Sequence, residues 1–173
     1  MPTETVVGLV AGETGFSRLS GIKGRDPGKP IALLCASAEI AFALAREVSP
    51  LARLLAARFW PGPLTLVFGA REGTVGVRVP AHPTAHALLL EYGAPLYATS
   101  ANLSGEPAPR SLQEVAQVLH AAVDFVVPGR PGSGEASAVV DLSGQQARLL
   151  RPTKSLTEAR LEQLAKASSS AKG

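Results

Sequence analysis

Short apolar runs rich in β-branched residues recur along this chain, most of them followed by a stretch of helical or turn character. The runs are 5–10 (TVVGLV), 31–35 (IALLC), 64–68 (LTLVF), 75–79 (VGVRV), 96–99 (LYAT), 125–127 (FVV), 138–142 (AVVDL) and 147–150 (ARLL). Each has the length and composition of a strand. IALLC is apolar throughout, the pattern of a strand covered on both faces. Gly8 inside the first run marks close approach by another backbone or by a ligand.

The intervening segments carry helix signals. Ser37 opens a helix with Ile40, Ala41, Leu44 and Ala45 on one side. Ser49 and Pro50 supply an N-cap and a first helical residue for a helix to Phe59. WPGP at 60–63 is a rigid turn. A helix over 83–92 ends at Gly93, and one over 111–121 begins with the Ser111/Glu114 capping-box spacing. A last helix spans 156–167, and a short one is expected over 16–22. Alternation of this kind predicts an α/β domain built on a mixed sheet. With 173 residues and no long linker or internal repeat, one domain over 1–167 is expected, followed by a disordered tail at 168–173.

Composition narrows the function classes. Hydrophobic residues make up 46% and charged residues 18%, enough to bury a core, while aromatics are only 5%, so Ala, Val and Leu must build it. A net charge of +3 is a mild bias toward anionic partners without a dense basic run. The single cysteine, Cys35, excludes an internal disulfide and reads as a buried structural thiol. No transmembrane run or basic leader is evident, so a cytoplasmic location is expected, with no membrane partner.

Familiar catalytic motifs are missing. There is no phosphate loop of the G-x-x-x-x-G-K-[ST] kind, and GRPGSG at 129–134 lacks the lysine and reads as a mobile loop. There is no G-x-S-x-G elbow. His82 and His86 alone do not make a zinc site.

Polar groups cluster in four places. Thr3, Glu4 and Thr5 precede the first strand. Lys23, Gly24 and Arg25, followed by Lys29, form a basic turn that suits either phosphate or solvent. Thr99, Ser100 and Asn102 stand at the carboxyl end of a strand, where open α/β sheets bind ligands. Arg78 and Arg151 lie within or beside apolar strands, with Ser137 nearby in sequence to one of them. A buried arginine requires an anion, which is either a ligand or a structural carboxylate such as Asp141 or Glu135.

The stretches PTETVVGL, IKGRDPGKPI, WPGPLTLVF, VGVRVPAHP, PLYATSANLSGEPAP and ASAVVDL…LLRP, in this order, resemble the YrdC/TsaC family over nearly the whole chain. The resemblance implies a twisted, open mixed sheet with flanking helices and a basic concave face. It also implies a threonylcarbamoyl-AMP synthase, which joins L-threonine, bicarbonate and ATP and releases pyrophosphate. A downstream transferase complex would then modify adenosine 37 of tRNAs. On this likeness Lys23 and Arg25 are catalytic, and ATP is held by them with Lys29, Arg78, Ser100, Asn102, Ser137 and Arg151. Threonine is held by Thr3, Thr5 and Thr99, and Mg²⁺ enters with ATP. The alternative the residues leave open is a non-catalytic relative that binds nucleotide or double-stranded RNA on the same basic face.

The first motif departs from the family's P-T-[DE]-T-V-Y-G-L-G-A-D. Val7 stands for the tyrosine, Val10 for the second glycine and Gly12 for the aspartate. The expected consequence of Val7 is a weakened wall of the small-substrate pocket.

Overall fold

The computed structural model describes residues 1–23, 31–130 and 132–170, with the side chains of Ser20 and Lys23 outside the description. Seven strands form one sheet: β1 (Gly8–Ala11), β2 (Ala32–Leu34), β3 (Leu64–Gly69), β4 (Thr74–Arg78), β5 (Leu96–Ser100), β6 (Ala138–Asp141) and β7 (Arg148–Arg151). Their order across the sheet is β1-β5-β2-β4-β3-β6-β7. The sheet is mixed, as predicted. β2–β4 and β3–β6 are parallel, and the other neighbours are antiparallel.

Six α-helices flank it: α1 (Phe16–Lys23), α2 (Ala38–Ala43), α3 (Pro50–Phe59), α4 (Pro83–Tyr92), α5 (Gln117–Ala121) and α6 (Glu158–Ser170). Their ends follow the local chemistry. The Ser37 and Ser49 hydroxyls accept from the amides of Ile40 and Ala52, and Pro50 takes the first position of α3. Gly93 closes α4 at φ 73°, a left-handed conformation that glycine adopts without a Cβ penalty.

Three expectations are corrected. The segment 125–127 is not a strand: Phe125 and Val126 are exposed beside α5. The helix expected over 111–121 is broken. A 3-10 turn, Leu112–Glu114, is followed by Val115 in extended conformation, and α5 starts only at Gln117. Val115 is buried among Val7, Leu9 and Leu119, and this packing overrides local helix preference. Ser111 does cap, but the Glu114 carboxylate accepts from the amide of Arg110, so the box is not closed on Ser111 itself. Finally, α6 continues through Ser170, whereas 171–173 lie outside the described residues.

The sheet sorts its side chains by the two-residue period of a strand. Leu64, Leu66 and Phe68 of β3, Val75 and Val77 of β4, and Ala138 and Val140 of β6 face the main core with α2, α3 and α6. Leu55, Trp60, Leu161 and Leu164 complete that core, and Cys35 lies within it, fully buried and unpaired. Alternate residues on the same strands, Thr65, Val67, Gly76, Arg78 and Val139, face the opposite side and line a cavity.

Candidate functional site

The cavity exists because the middle of this second face is built from small residues. Ala98 on β5, Ala32 on β2 and Gly76 on β4 are neighbours across the sheet, and Gly8 on β1, opposite Ser100, is a fourth small residue; together they leave the floor low. Larger and polar groups rise around it: Thr65, Arg78, Ser100, Asn102, Ser137 and Arg151. The space is about 490 Å³, within the range of small-ligand sites. Gly8 meets the expectation of close backbone approach: a Cβ there would lie 3.3 Å from the Thr99 carbonyl oxygen.

Most of the sequence-predicted site residues meet at this cavity. Thr3, Thr5, Arg78, Thr99, Ser100, Asn102, Ser137 and Arg151 all line it. Arg25 and Lys29 lie outside the described residues, and so does the side chain of Lys23, whose backbone ends α1.

Arg78 is the most enclosed cation among the described residues: its side chain is 8% exposed, and it meets two separate segments, Gly62 and Glu4–Thr5. Nε donates to the Gly62 carbonyl at 3.1 Å, Nη1 donates to Thr5 Oγ1 at 3.0 Å, and Nη2 lies 2.6 Å from Glu4 Oε1. The last is a close ion contact without hydrogen-bond alignment. The structural carboxylate for Arg78 is therefore Glu4. Asp141 instead pairs with Arg148 at 2.6 Å.

The Thr3 and Thr5 hydroxyls form an ordered chain. Thr3 Oγ1 donates to the Val6 carbonyl at 2.7 Å, so in its 2.8 Å contact with Thr5 Oγ1 it must accept. Thr5 in turn accepts from Arg78. Both threonines are buried, and in this arrangement their donor hydrogens point into the protein. The segment carrying them is clamped from outside. The amides of Gly132, Ser133 and Gly134 donate to the carbonyls of Thr3, Glu4 and Thr5 at 2.9, 2.9 and 2.7 Å. A side chain at Gly132 would collide with the Glu4 carbonyl. Much of the loop read as mobile is thus packed against the site.

On the other wall, Arg151 donates from Nε to the Ser137 carbonyl and from Nη2 to Ser137 Oγ, which also contacts Thr65 Oγ1 at 2.9 Å. Burial, with the positive charge of Arg78 behind it, lowers the Arg151 pKa from its usual value. Asn102 donates from Nδ2 to the carbonyls of Leu103 and Glu106, at 3.0 and 2.7 Å, and so shapes the turn that rims the cavity. Gly105, at φ 91°, completes that turn.

Sequence reasoning missed Glu4 and Thr65. The Thr65 signal was available: an alternating hydroxyl in LTLVF faces away from the leucines. Glu4 had no such signal, because its partner is more than seventy positions away. His82 and His86 engage the carbonyls of Arg130 and Ala36 respectively.

A second cavity, of about 400 Å³, is lined mainly by apolar residues of β1, α1, α4 and α5, including Leu9, Leu19, Leu88 and Leu119. Val7 lines this apolar cavity and not the polar one.

An open mixed sheet with a polar, arginine-bearing cavity over a floor of small residues defines a YrdC-type α/β domain. The chain belongs to the Sua5/YciO/YrdC family, described as telomere recombination, whose match spans residues 1–153. It is 39% identical over 165 residues to the threonylcarbamoyl-AMP synthase of Pyrococcus abyssi (strain GE5 / Orsay), covering 87% of this chain and 48% of that one. It is 36% identical over 166 residues to the threonylcarbamoyl-AMP synthase of Bacillus subtilis (strain 168), with coverage of 87% and 48%. Among solved structures, P. abyssi Sua5 complexed with L-threonine superposes with a TM-score of 0.82 at 39% identity, over 87% of this chain and 48% of that one. The chain thus spans about half the length of these relatives. No described helix is long and apolar enough to cross a membrane.

Proposed function

We propose that the polar cavity makes threonylcarbamoyl-AMP from L-threonine, bicarbonate and ATP, in the cytoplasm, for transfer by a separate complex to adenosine 37 of tRNA. The observation that carries this reading is the convergence of Thr3–Thr5, Arg78, Ser100–Asn102 and Ser137–Arg151 on one cavity of about 490 Å³. The names of the relatives, and the L-threonine bound to P. abyssi Sua5, support it.

The threonine amine first attacks the carbon of bicarbonate, a C–N bond forms and water leaves, giving N-carboxythreonine. Its new N-bound carboxylate oxygen attacks the α-phosphorus of ATP, a new O–P bond forms, and the bond to pyrophosphate breaks. No protein nucleophile is required, so the chain's task is positioning and charge neutralisation. Lys23, Arg25 and Lys29 are proposed to meet the phosphates, and Mg²⁺ enters as part of the ATP substrate. Ser100, Asn102, Ser137 and Arg151 are proposed to line the nucleotide. Thr99, Thr3 and Thr5 belong to the amino-acid end. Arg78, expected among the nucleotide contacts, is instead proposed to serve the amino-acid end, because it donates to Thr5.

Pyrophosphate release with ATP, L-threonine and bicarbonate tests the reading. Release that depends on all three supports it. ATP binding without threonine-dependent release rejects it in favour of a non-catalytic nucleotide- or RNA-binding relative.

A further inference from the structure

Glu4 carries a carboxylate beside the cavity, and the proposed reaction gives it no role. Its side chain is 19% exposed, and neither oxygen has a hydrogen-bonded neighbour among the described residues. Among the described residues, the ion contact with Arg78 Nη2 alone neutralises it. A carboxylate in such a place is costly unless its charge is needed there.

The geometry shows what that charge does. A guanidinium is planar, so fixing its nitrogens fixes the whole fork. Gly62 holds Nε, Thr5 holds Nη1 and Glu4 holds Nη2. Glu4 supplies the only charge among these three anchors. Its backbone is tied down by the Ser133 amide, which fixes where the side chain starts.

We infer that Glu4 is a positioning residue: its carboxylate holds Arg78 in the orientation that receives the carboxylate-bearing amino-acid substrate. This rests on the proposed function. It extends that reading by assigning substrate affinity to a residue that need not touch substrate, acting through Arg78.

The test is calorimetric titration of L-threonine, and separately of ATP, into the wild-type chain and its Glu4→Gln and Glu4→Asp variants. Thermal unfolding reports whether each variant is folded. Glu4→Gln keeps the size and removes the charge. It is expected to weaken L-threonine binding by about tenfold or more while leaving ATP binding within about twofold, as loss of the charged partner of a buried ion contact predicts. Glu4→Asp restores the charge and should recover much of the threonine affinity. A folded Glu4→Gln that binds L-threonine like the wild type overturns the inference alone. Equal weakening of both ligands, or no recovery in Glu4→Asp, reduces Glu4 to a general structural role and also overturns it. A wild-type chain that binds neither ligand overturns the proposed function and this inference together.

Discussion

Arg151 reaches back across the sheet edge to grip Ser137 twice, with Nε 2.6 Å from the carbonyl oxygen and Nη2 3.2 Å from Oγ. The grip uses the fork of a guanidinium, which the single ammonium of lysine does not reproduce. Arg151→Lys should therefore lower kcat/KM for ATP roughly ten- to a hundredfold, the effect of losing a charged hydrogen bond. Steady-state pyrophosphate release at varied ATP checks this. An unchanged value would remove Arg151 from the nucleotide wall.

Lys23→Ala and Arg25→Ala are each expected to abolish turnover, through loss of charge stabilisation worth several kcal/mol, on the order of 3 kcal/mol or more. Single-turnover formation of threonylcarbamoyl-AMP is the measurement. Near-normal rates in both variants would mean that the phosphates bind elsewhere.

Gly76 forms part of the cavity floor. A Cβ there would sit 3.7 Å from Thr65 Cγ2 and 3.8 Å from Ala32, ordinary contact distances. Gly76→Val adds a β-branched side chain that suits a strand, and its methyl groups enter the cavity. The variant should melt at or above the wild-type temperature and bind ATP or L-threonine at least about tenfold more weakly, since overlap with ligand forfeits well over 1 kcal/mol. Retained binding of both ligands would place the site elsewhere.

Val7 is buried against Leu9, Leu19, Ala101, Val115 and Leu119, next to the apolar cavity. Val7→Tyr should leave the KM for threonine unchanged, because Val7 lines the apolar cavity and not the polar one. A lower KM would show that the two cavities communicate.

Burial pushes the Cys35 thiol up from 9.0 to about 12. The folded state therefore retains a proton that the unfolded chain releases. The resulting stability is complete below pH 9.0 and is lost as pH rises toward about 12. The wild type should lose stability relative to Cys35→Ala by about 1.4 kcal/mol per pH unit across that window. Denaturant unfolding of both proteins at several pH values measures the difference. The thiol should also resist alkylation until the chain unfolds.

Local chemistry alone placed much of the fold. Ser49, Pro50 and Gly93 mark the ends of α3 and α4, because caps and fixed φ angles act within one helical turn. The alternation in LTLVF and VGVRV carries the division between core and cavity face, although Thr65 was not read from it. The order of groups along the chain also brought Ser100, Asn102, Ser137 and Arg151 under suspicion before any geometry was known.

Other features depended on distant neighbours. Val115 interrupts a helix that its own neighbours favour, because the apolar cluster around Leu119 takes its side chain. The GRPGSG loop has the composition of a flexible connector, and only the carbonyls of Thr3, Glu4 and Thr5 give it partners. Thr3 and Thr5 were legible as hydroxyls near a site, but not as a directed chain ending on Arg78. The sequence by itself determined the seven strands that form, the starts of α2 and α3, the end of α4 and most of the polar groups, since those depend on contacts a few residues long. The pairing of Glu4 with Arg78, and the cavity left by Gly8, Ala32, Gly76 and Ala98, were decided by sheet order, which sets residues far apart in the chain side by side.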